Sequence, residues 1–365
     1  MDLSLVIPTH NRPGVLAETL ARLGSLDERT IGQRCELIIV DNGSDTPPDP
    51  PARLPNAIEV RVIKLGENRS AAARNIGAQE ARAEWVVMLD DDSSLERCPV
   101  LATLRSVQPD VHAVGGEILL PSGAHESGGL PEVVVGCGCA YRRSVFNRLG
   151  GYDPSFDFYA EEYDLCARIL LGGGRVLHTA GLRFEHRKST QNRSFGRIIR
   201  RLVRNNGWVI KRYTPGPGFR PALDDMVERY ERIARKEGVG EAFGAGLDEL
   251  LQTIDDQPDR TMDRSTHERF TGHHACAVRF GSLPSNPVRI VSPGKGLEVI
   301  KVVLAGRGVG IVEDEDAGTN AVIGTLSPGP LADAQLLHPR ATPGCDGYLP
   351  GVCGALRVQG ASRAD

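Results

Sequence analysis

The chain has 365 residues, 40% of them hydrophobic and 25% charged, and carries a formal net charge of −4. Roughly 100–200 residues per domain implies two or three domains, with ample length for a buried core. A slightly acidic total excludes a generic polyanion binder, so any basic site must be local. No apolar run approaches the roughly 18 residues of a membrane span. The first residues lack the basic-then-apolar order of a signal peptide. The expected location is therefore cytoplasmic, with the eight cysteines as reduced thiols.

Leu3 to Ile7 is a short apolar run stopped by Pro8, which suits a buried strand. Thr9 to Gly14 is a turn, and Leu16, Leu20 and Leu23 then recur at helical spacing. Glu36 to Val40 and Val60 to Leu65 read as strands, Ser70 to Ala83 as an alanine-rich helix, and Trp85 to Leu89 as a fourth strand. Alternating strands and helices predict an α/β domain with a mainly parallel sheet flanked by helices. Ligand sites in such sheets lie beyond the carboxyl ends of the strands. The polar loops Thr9 to Asn11, Asp41 to Asp45 and Asp90 to Ser93 fall there.

The breaker cluster Thr214-Pro215-Gly216-Pro217-Gly218 marks a boundary. We therefore divide the chain into a domain at 1–213, a helical linker region at 214–284, a small α/β module at 285–340 and a poorly ordered tail at 341–365. The linker region contains helices near Ala222 to Lys236 and Glu241 to Ile254. In the module, Val288 to Val291, Leu297 to Ala305 and Val309 to Val312 make one βαβ unit. The tail is rich in Gly, Ala and Pro.

Asp90-Asp91-Asp92 follows an apolar strand. Three adjacent carboxylates raise one another's pKa and require a cation or a proton. Hard oxygen ligands at a strand end suit Mg²⁺ or Mn²⁺ on a diphosphate, although a solvated acidic turn has the same sequence. Glu161, Glu162 and Asp164 begin a helix-compatible stretch, where carboxylates either favour the helix dipole or serve as a general base. His186 alone reads more readily as a structural or surface residue than as a metal ligand.

Taken together, the motifs resemble family 2 glycosyltransferases with the GT-A fold over about residues 1–210. They are Val6 to Arg12, Val40 to Ser44, Asn68 through Ala73-Arg74-Asn75, Leu89 to Asp92, Gly150-Gly151-Tyr152-Asp153, Glu161 to Leu165, and His186. The resemblance implies a GT-A-like nucleotide-binding sheet, followed here by a helical segment and a small α/β carboxy-terminal module. It implies that Pro8, Thr9 and Asp41 border the nucleotide base, with Asn11 at the same site and Arg74 near base and phosphate. Asp90 or Asp91 would lie near the ribose, and Asp92 on Mn²⁺ or Mg²⁺. His186 would complete the metal or diphosphate site. Glu162 stands where the family usually has the Asp of a Glu-Asp pair, the catalytic base. Because Glu is a methylene longer, Glu161 and Asp164 are alternatives.

The implied reaction moves a sugar from a nucleoside-diphosphate sugar to a hydroxyl of a glycan, polysaccharide or lipid-linked acceptor. One displacement inverts the anomeric carbon without a covalent nucleophile. A nucleotidyltransferase is an alternative, but the loop after the first strand is Pro8-Thr9-His10-Asn11 rather than Gly-rich and basic. A non-catalytic glycan- or nucleotide-binding scaffold is another.

Ser194 to Arg204 is amphipathic, with Arg197, Arg200, Arg201 and Arg204 opposite Phe195, Ile198, Ile199 and Leu202. It reads either as a core-packed helix with a solvated basic face or as a peripheral contact with the cytoplasmic face of a membrane or a lipid-diphosphate acceptor. Nucleic acid is not expected, since aromatic residues are only 5%. Cys137-Gly138-Cys139 lacks the second pair of a zinc finger and is read as small residues permitting close backbone approach. His267, His273, His274 and Cys276 lack ligand spacing, and neither Gly294-Lys295-Gly296 nor Gly306 to Gly310 completes a nucleotide-loop fingerprint.

Overall fold

The computed structural model describes residues 1–126, 128–189, 194–281, 287–291, 296–312, 320–328, 330–331, 333, 341–342 and 357–358. Strands β1 (Leu3–Thr9), β2 (Cys35–Asp41), β3 (Glu59–Lys64) and β4 (Trp85–Leu89) form a parallel block in the order β3-β2-β1-β4. Both faces of this block are covered, which is why β1 and β2 read as continuous apolar runs rather than alternating ones. Leu3, Leu5 and Ile7 pack with Leu16 and Leu23 of α1 (Pro13–Leu23) on one face. Val6, Ile38 and Val40 pack on the other against Ala73 and Ala78 of α3 (Ala73–Glu80), a helix that follows the short α2 (Glu28–Ile31).

The sheet continues through β5 (Ser93–Leu95), β6 (Val111–Leu119), β7 (Gly138–Arg142) and β8 (Arg175–His186) to the full order β3-β2-β1-β4-β7-β6-β8-β5. β7 and β5 run against their neighbours, and the other strands share one direction. Its helices are α4 (Val100–Ser106), α5 (Arg143–Arg148) and α6 (Glu161–Leu171). The mainly parallel, helix-flanked sheet expected from the sequence is the one observed.

Register assembles the site. β1–β2 pairing sets Thr9 against Asp41. Leu89 pairs with Gly138, which brings Asp90 beside Cys137, and Ser93 pairs with His186.

A helical layer follows: α7 (Phe195–Tyr213), α8 (Gly216–Lys236), α9 (Gly240–Thr253), α10 (Arg264–Phe270) and α11 (His273–Phe280). The breaker cluster separates α7 from α8, yet α8 starts inside it because a proline in the first turn forfeits no helical hydrogen bond. Contacts cross this point. Trp208 Nε1 donates to Thr253 at 2.9 Å, Arg212 Nε donates to Gln257 at 2.9 Å, and the Met262 N–H donates to the Tyr213 carbonyl at 3.0 Å.

The last piece contains β9 (Val288–Val291), α12 (Leu297–Gly306), β10 (Ile311–Val312) and β11 (Asn320–Ile323), with parallel strands in the order β10-β9-β11. Its core includes Cys276 and Phe280 of α11 with Val288, Ile300 and Leu304. It holds the segment between β6 and β7. Asp333 accepts from the His125 N–H at 2.8 Å, Ser327 accepts from the Gly128 N–H at 3.0 Å, and Arg269 of α10 pairs with Glu132 at 2.6 Å. Gly294 and Lys295 lie outside the described residues, as does the tail apart from Ala341–Thr342 and Arg357–Val358, which pair antiparallel. Among the described residues no helix is long and apolar enough to cross a membrane.

Candidate active site

At the strand ends the aspartate triplet meets cations supplied by the chain itself. Arg12 donates to Asp91 Oδ1 at 2.5 Å and to Asp92 Oδ2 at 3.0 Å, and buried Arg74 pairs with Asp90. Thr9 Oγ1 donates to the other Asp91 oxygen at 2.9 Å. The charge balance that the sequence led us to assign to a metal or a proton is thus met largely by two guanidinium groups. Burial pushes the Asp91 carboxyl up, to about 6, against the pull of Arg12 and Thr9. Burial also opposes charge on Asp92, but His186 and Arg12 outweigh it and hold that carboxyl well below the usual range.

His186, at the end of β8, is buried with acceptors on both sides. Its Nε2 lies 3.4 Å from Asp92 Oδ1; its Nδ1 lies 3.1 Å from Glu126 Oε2 and 3.5 Å from Cys137 Sγ. Burial disfavours a charged ring, yet Asp92, Cys137 and Glu126 together raise its pKa far above the ordinary imidazole value. Lys188 Nζ pairs with Glu126 at 2.8 Å. Among the described residues, donor atoms of Asp90, Cys137 and His186 lie within 4.8 Å of one another, close enough to share one ion. His267, His273, His274 and Cys276 form no such group among the described residues, and Cys276 belongs to a hydrophobic core.

The second acidic cluster divides by environment. Glu162 is half-buried, and its Oε1 accepts from the Gly136 N–H at 3.0 Å. Any Cβ at position 136 would run into that oxygen, so glycine is required for the approach. Burial raises the pKa of Glu162, and burial with the adjacent Glu162 raises that of Glu161 well above the usual value. Asp164 is buried among Arg168, Arg212 and Tyr213, which donate to it at 2.8, 2.8 and 2.6 Å. Asp157, Tyr159 and Ala160, just before Glu161, all have left-handed backbone angles of φ 63°, 72° and 67°. Such conformations cost of order 1–3 kcal/mol each and persist only where the surroundings enforce them. Here Asn205 of α7 enforces them, its Nδ2 donating to the carbonyls of Phe156, Phe158 and Tyr159 at 2.7–2.8 Å.

The remaining expected residues line the strand ends. Asp41 Oδ1 accepts from the Ser44 N–H at 3.2 Å, Asn11 Nδ2 donates to Asp45 at 3.1 Å, and Pro8 sits against Val40. Sequence reasoning gave no role to Arg12 or Glu126, and placed Cys137 in a small-residue segment without making its thiol a ligand. Their signal is strand register between distant segments, which no local pattern encodes.

Carboxylates, arginines and an imidazole thus gather at the carboxyl ends of a mainly parallel sheet, where ligand sites of α/β proteins lie. Residues 4–116 match the family model described as Glycosyl transferase family 2. It is 28% identical over 229 residues to the O-antigen biosynthesis protein RfbC of Myxococcus xanthus, covering 53% of this chain and 18% of that protein. It is 27% identical over 277 residues to the succinoglycan biosynthesis protein ExoO of Rhizobium meliloti, covering 66% and 74%. Among solved structures, S. aureus TarS 1–349 in complex with UDP-GlcNAc is similar, with 14% identity and a TM-score of 0.48 over 85% of this chain and 93% of that one. The chain covers less than two thirds of the length of the first curated relatives it matches.

Proposed function

We propose that the chain is a cation-dependent, inverting glycosyltransferase that moves a sugar from a nucleoside-diphosphate sugar to a hydroxyl of a glycan, polysaccharide or lipid-linked acceptor. The observation that carries this reading is the stretch Gly136-Cys137. Gly136 holds the Glu162 carboxylate at 3.0 Å, and the next side chain stands 3.5 Å from His186 and beside Asp90. A proton acceptor and an ion-competent cluster are thereby tied to consecutive residues. The names of two relatives, in O-antigen and succinoglycan biosynthesis, support a polysaccharide-type acceptor.

In this reading Glu162 takes the acceptor's proton as its oxygen attacks the anomeric carbon. A pKa raised by burial brings the group nearer neutral pH, where a base is efficient. Burial and the adjacent Glu162 raise the pKa of Glu161 as well, which disfavours charge on both carboxyls at once. Pro8, Thr9, Asn11 and Asp41 border the nucleotide, with Arg74 and Asp90 or Asp91 next to them. Carboxylate and imidazole donors suit a divalent cation, so Asp92 and His186 fit Mn²⁺ or Mg²⁺. The cation would offset charge developing on the departing diphosphate.

Three arginines of α7 are matched internally: Arg200 and Arg204 with Glu249, and Arg201 with Asp157. Peripheral contact with a membrane's cytoplasmic face would therefore fall on exposed Phe195 and Arg197.

To test this, the full chain is incubated with a panel of sugar nucleotides and Mn²⁺. Slow release of nucleoside diphosphate is expected from one of them, and excess chelator should stop it. Glu162→Gln should retain donor binding while transfer falls about 10²–10⁴-fold. Failure to bind or turn over any donor would overturn the reading, and near-parental transfer by Glu162→Gln would overturn the base.

A further inference from the structure

The reaction just described uses the position of Cys137 but gives its thiol no bond to make, yet the sulfur stands among candidate ligands. It is 5% exposed, at the end of β4's antiparallel partner, and its sulfur faces the same imidazole nitrogen that Glu126 approaches. Cys139, two residues on, is fully buried and belongs to a different hydrophobic cluster from Cys137. The Cys-x-Cys pair therefore does not act as a pair.

We propose that Asp90, Cys137 and His186 form a mixed oxygen, sulfur and nitrogen site that takes a borderline cation of the Zn²⁺ or Co²⁺ class more tightly than a hard one such as Mg²⁺. Three observations carry it. The donor atoms of all three side chains lie within 4.8 Å of one another. Cys137 Sγ and His186 Nδ1 are 3.5 Å apart. Two ligands of one tetrahedral cation, with bonds of roughly 2.3 Å to sulfur and 2.1 Å to nitrogen, stand about 3.6 Å apart. Finally, the opposite ring nitrogen, Nε2, faces Asp92 Oδ1 at 3.4 Å. That carboxylate can receive the ring's remaining proton and fix its orientation, as the outer partner of a metal-bound histidine commonly does.

Thiolate ligands select borderline and soft cations, while carboxylate-only sites select Mg²⁺, so one thiol changes the preference of the whole site. Asp90 provides the approach, since its side chain is 32% exposed whereas Asp92 is 1% exposed. The inference rests on the proposed function only in treating His186 as part of the cation site of that reaction, and it moves Asp92 from direct ligand, as that reading has it, to a positioning residue for His186.

Cobalt titration of the full chain tests it directly. A thiolate-to-cobalt charge-transfer band in the near ultraviolet should appear with Co²⁺, vanish in Cys137→Ser and remain in Cys139→Ser. Zn²⁺ should displace the cobalt at near-equal concentration, and Mg²⁺ should fail to do so at a hundredfold excess. Cadmium NMR of the unaltered protein supplies a reading that needs no variant, with a sulfur-shifted resonance expected. Absence of the band and of that resonance, or a band that persists in folded Cys137→Ser, overturns the thiol as ligand. Donor turnover with Mn²⁺ but without the cobalt band would sink this site and leave the proposed function standing. The band without any donor turnover would do the reverse.

Discussion

At the scale of single residues, Glu162 and Asp164 stand two positions apart and meet opposite surroundings. Asp164 is enclosed by Arg168, Arg212 and Tyr213, with both of its oxygens occupied. Asp164→Asn leaves two guanidinium groups facing a neutral amide, and removing one member of a buried ion pair costs about 3–5 kcal/mol. Urea denaturation should show that loss, while donor binding per folded molecule is retained. Unchanged stability with lost transfer would move the base to Asp164. The sequence could not separate these acids, because what distinguishes them is Arg212, 48 positions away. The aspartate triplet was legible as a charged strand end. Its neutralisation by Arg12 and Arg74 depends on side chains reaching back from other loops.

At the scale of elements, α7 is a clamp on the loop that delivers Glu161 and Glu162. Asn205 is fully buried, and its amide serves three loop carbonyls. Arg201 adds an ion pair to Asp157 and lies 5.8 Å above the Phe158 ring. Asn205→Ala removes this donor from the Phe158 and Tyr159 carbonyls, while Phe156 keeps Arg204, and each unsatisfied buried group costs about 1–3 kcal/mol. Amides of residues 157–162 should then exchange with solvent faster than the rest of the domain; unchanged exchange there would show that the loop holds itself. The amphipathic pattern of α7 was plain in the sequence, but its basic stripe read as a solvent or lipid face. Arg201 and Arg204 are instead half-buried against Asp157 and Glu249, while Arg197 and Arg200 stay exposed to solvent. β1, β2 and β4 were legible because burial on both faces leaves apolar runs, and β3 by its alternating Val60 and Val62. β6 and β7 were not, since Gly115, Gly116 and Gly138 interrupt their pattern where side chains from other strands press in. His178 fills the space beside Gly115, and Phe184 that beside Gly116 and Gly138.

At the scale of the whole molecule, that same His178 makes stability depend on pH. It is buried, its Nε2 lies 3.1 Å from the Val133 carbonyl, and burial lowers its pKa to about 4 despite that contact. The unfolded chain protonates it near its ordinary value of 6.5, whereas the folded chain does so only near 4. Nothing is lost above 6.5. Stability falls as pH drops through that window, approaching a loss on the order of 3 kcal/mol once both states are protonated. Asp91, with a raised pKa, acts in the opposite sense over part of the same range. The measurement is therefore differential: urea midpoints from pH 7 to 4 for the parent and for His178→Gln, which should lack this slope. Parallel curves would mean that folding leaves the pKa of the ring unchanged.

The grip of the carboxy-terminal piece on the segment between β6 and β7 bears on how the protein is made. Asp333 follows its partner His125 by 208 positions, and Ser327 follows Gly128 by 199. At a translation rate of roughly 5–20 residues per second, these anchors reach the segment about 10–40 s after it leaves the ribosome. Throughout that interval the stretch before β7 lacks its contacts with Asp333 and Ser327 and is held only by partners such as His178, His186 and Arg269. A chain released early would carry every strand of the large sheet and still leave the turn at His125 to Gly128 without two of its anchors.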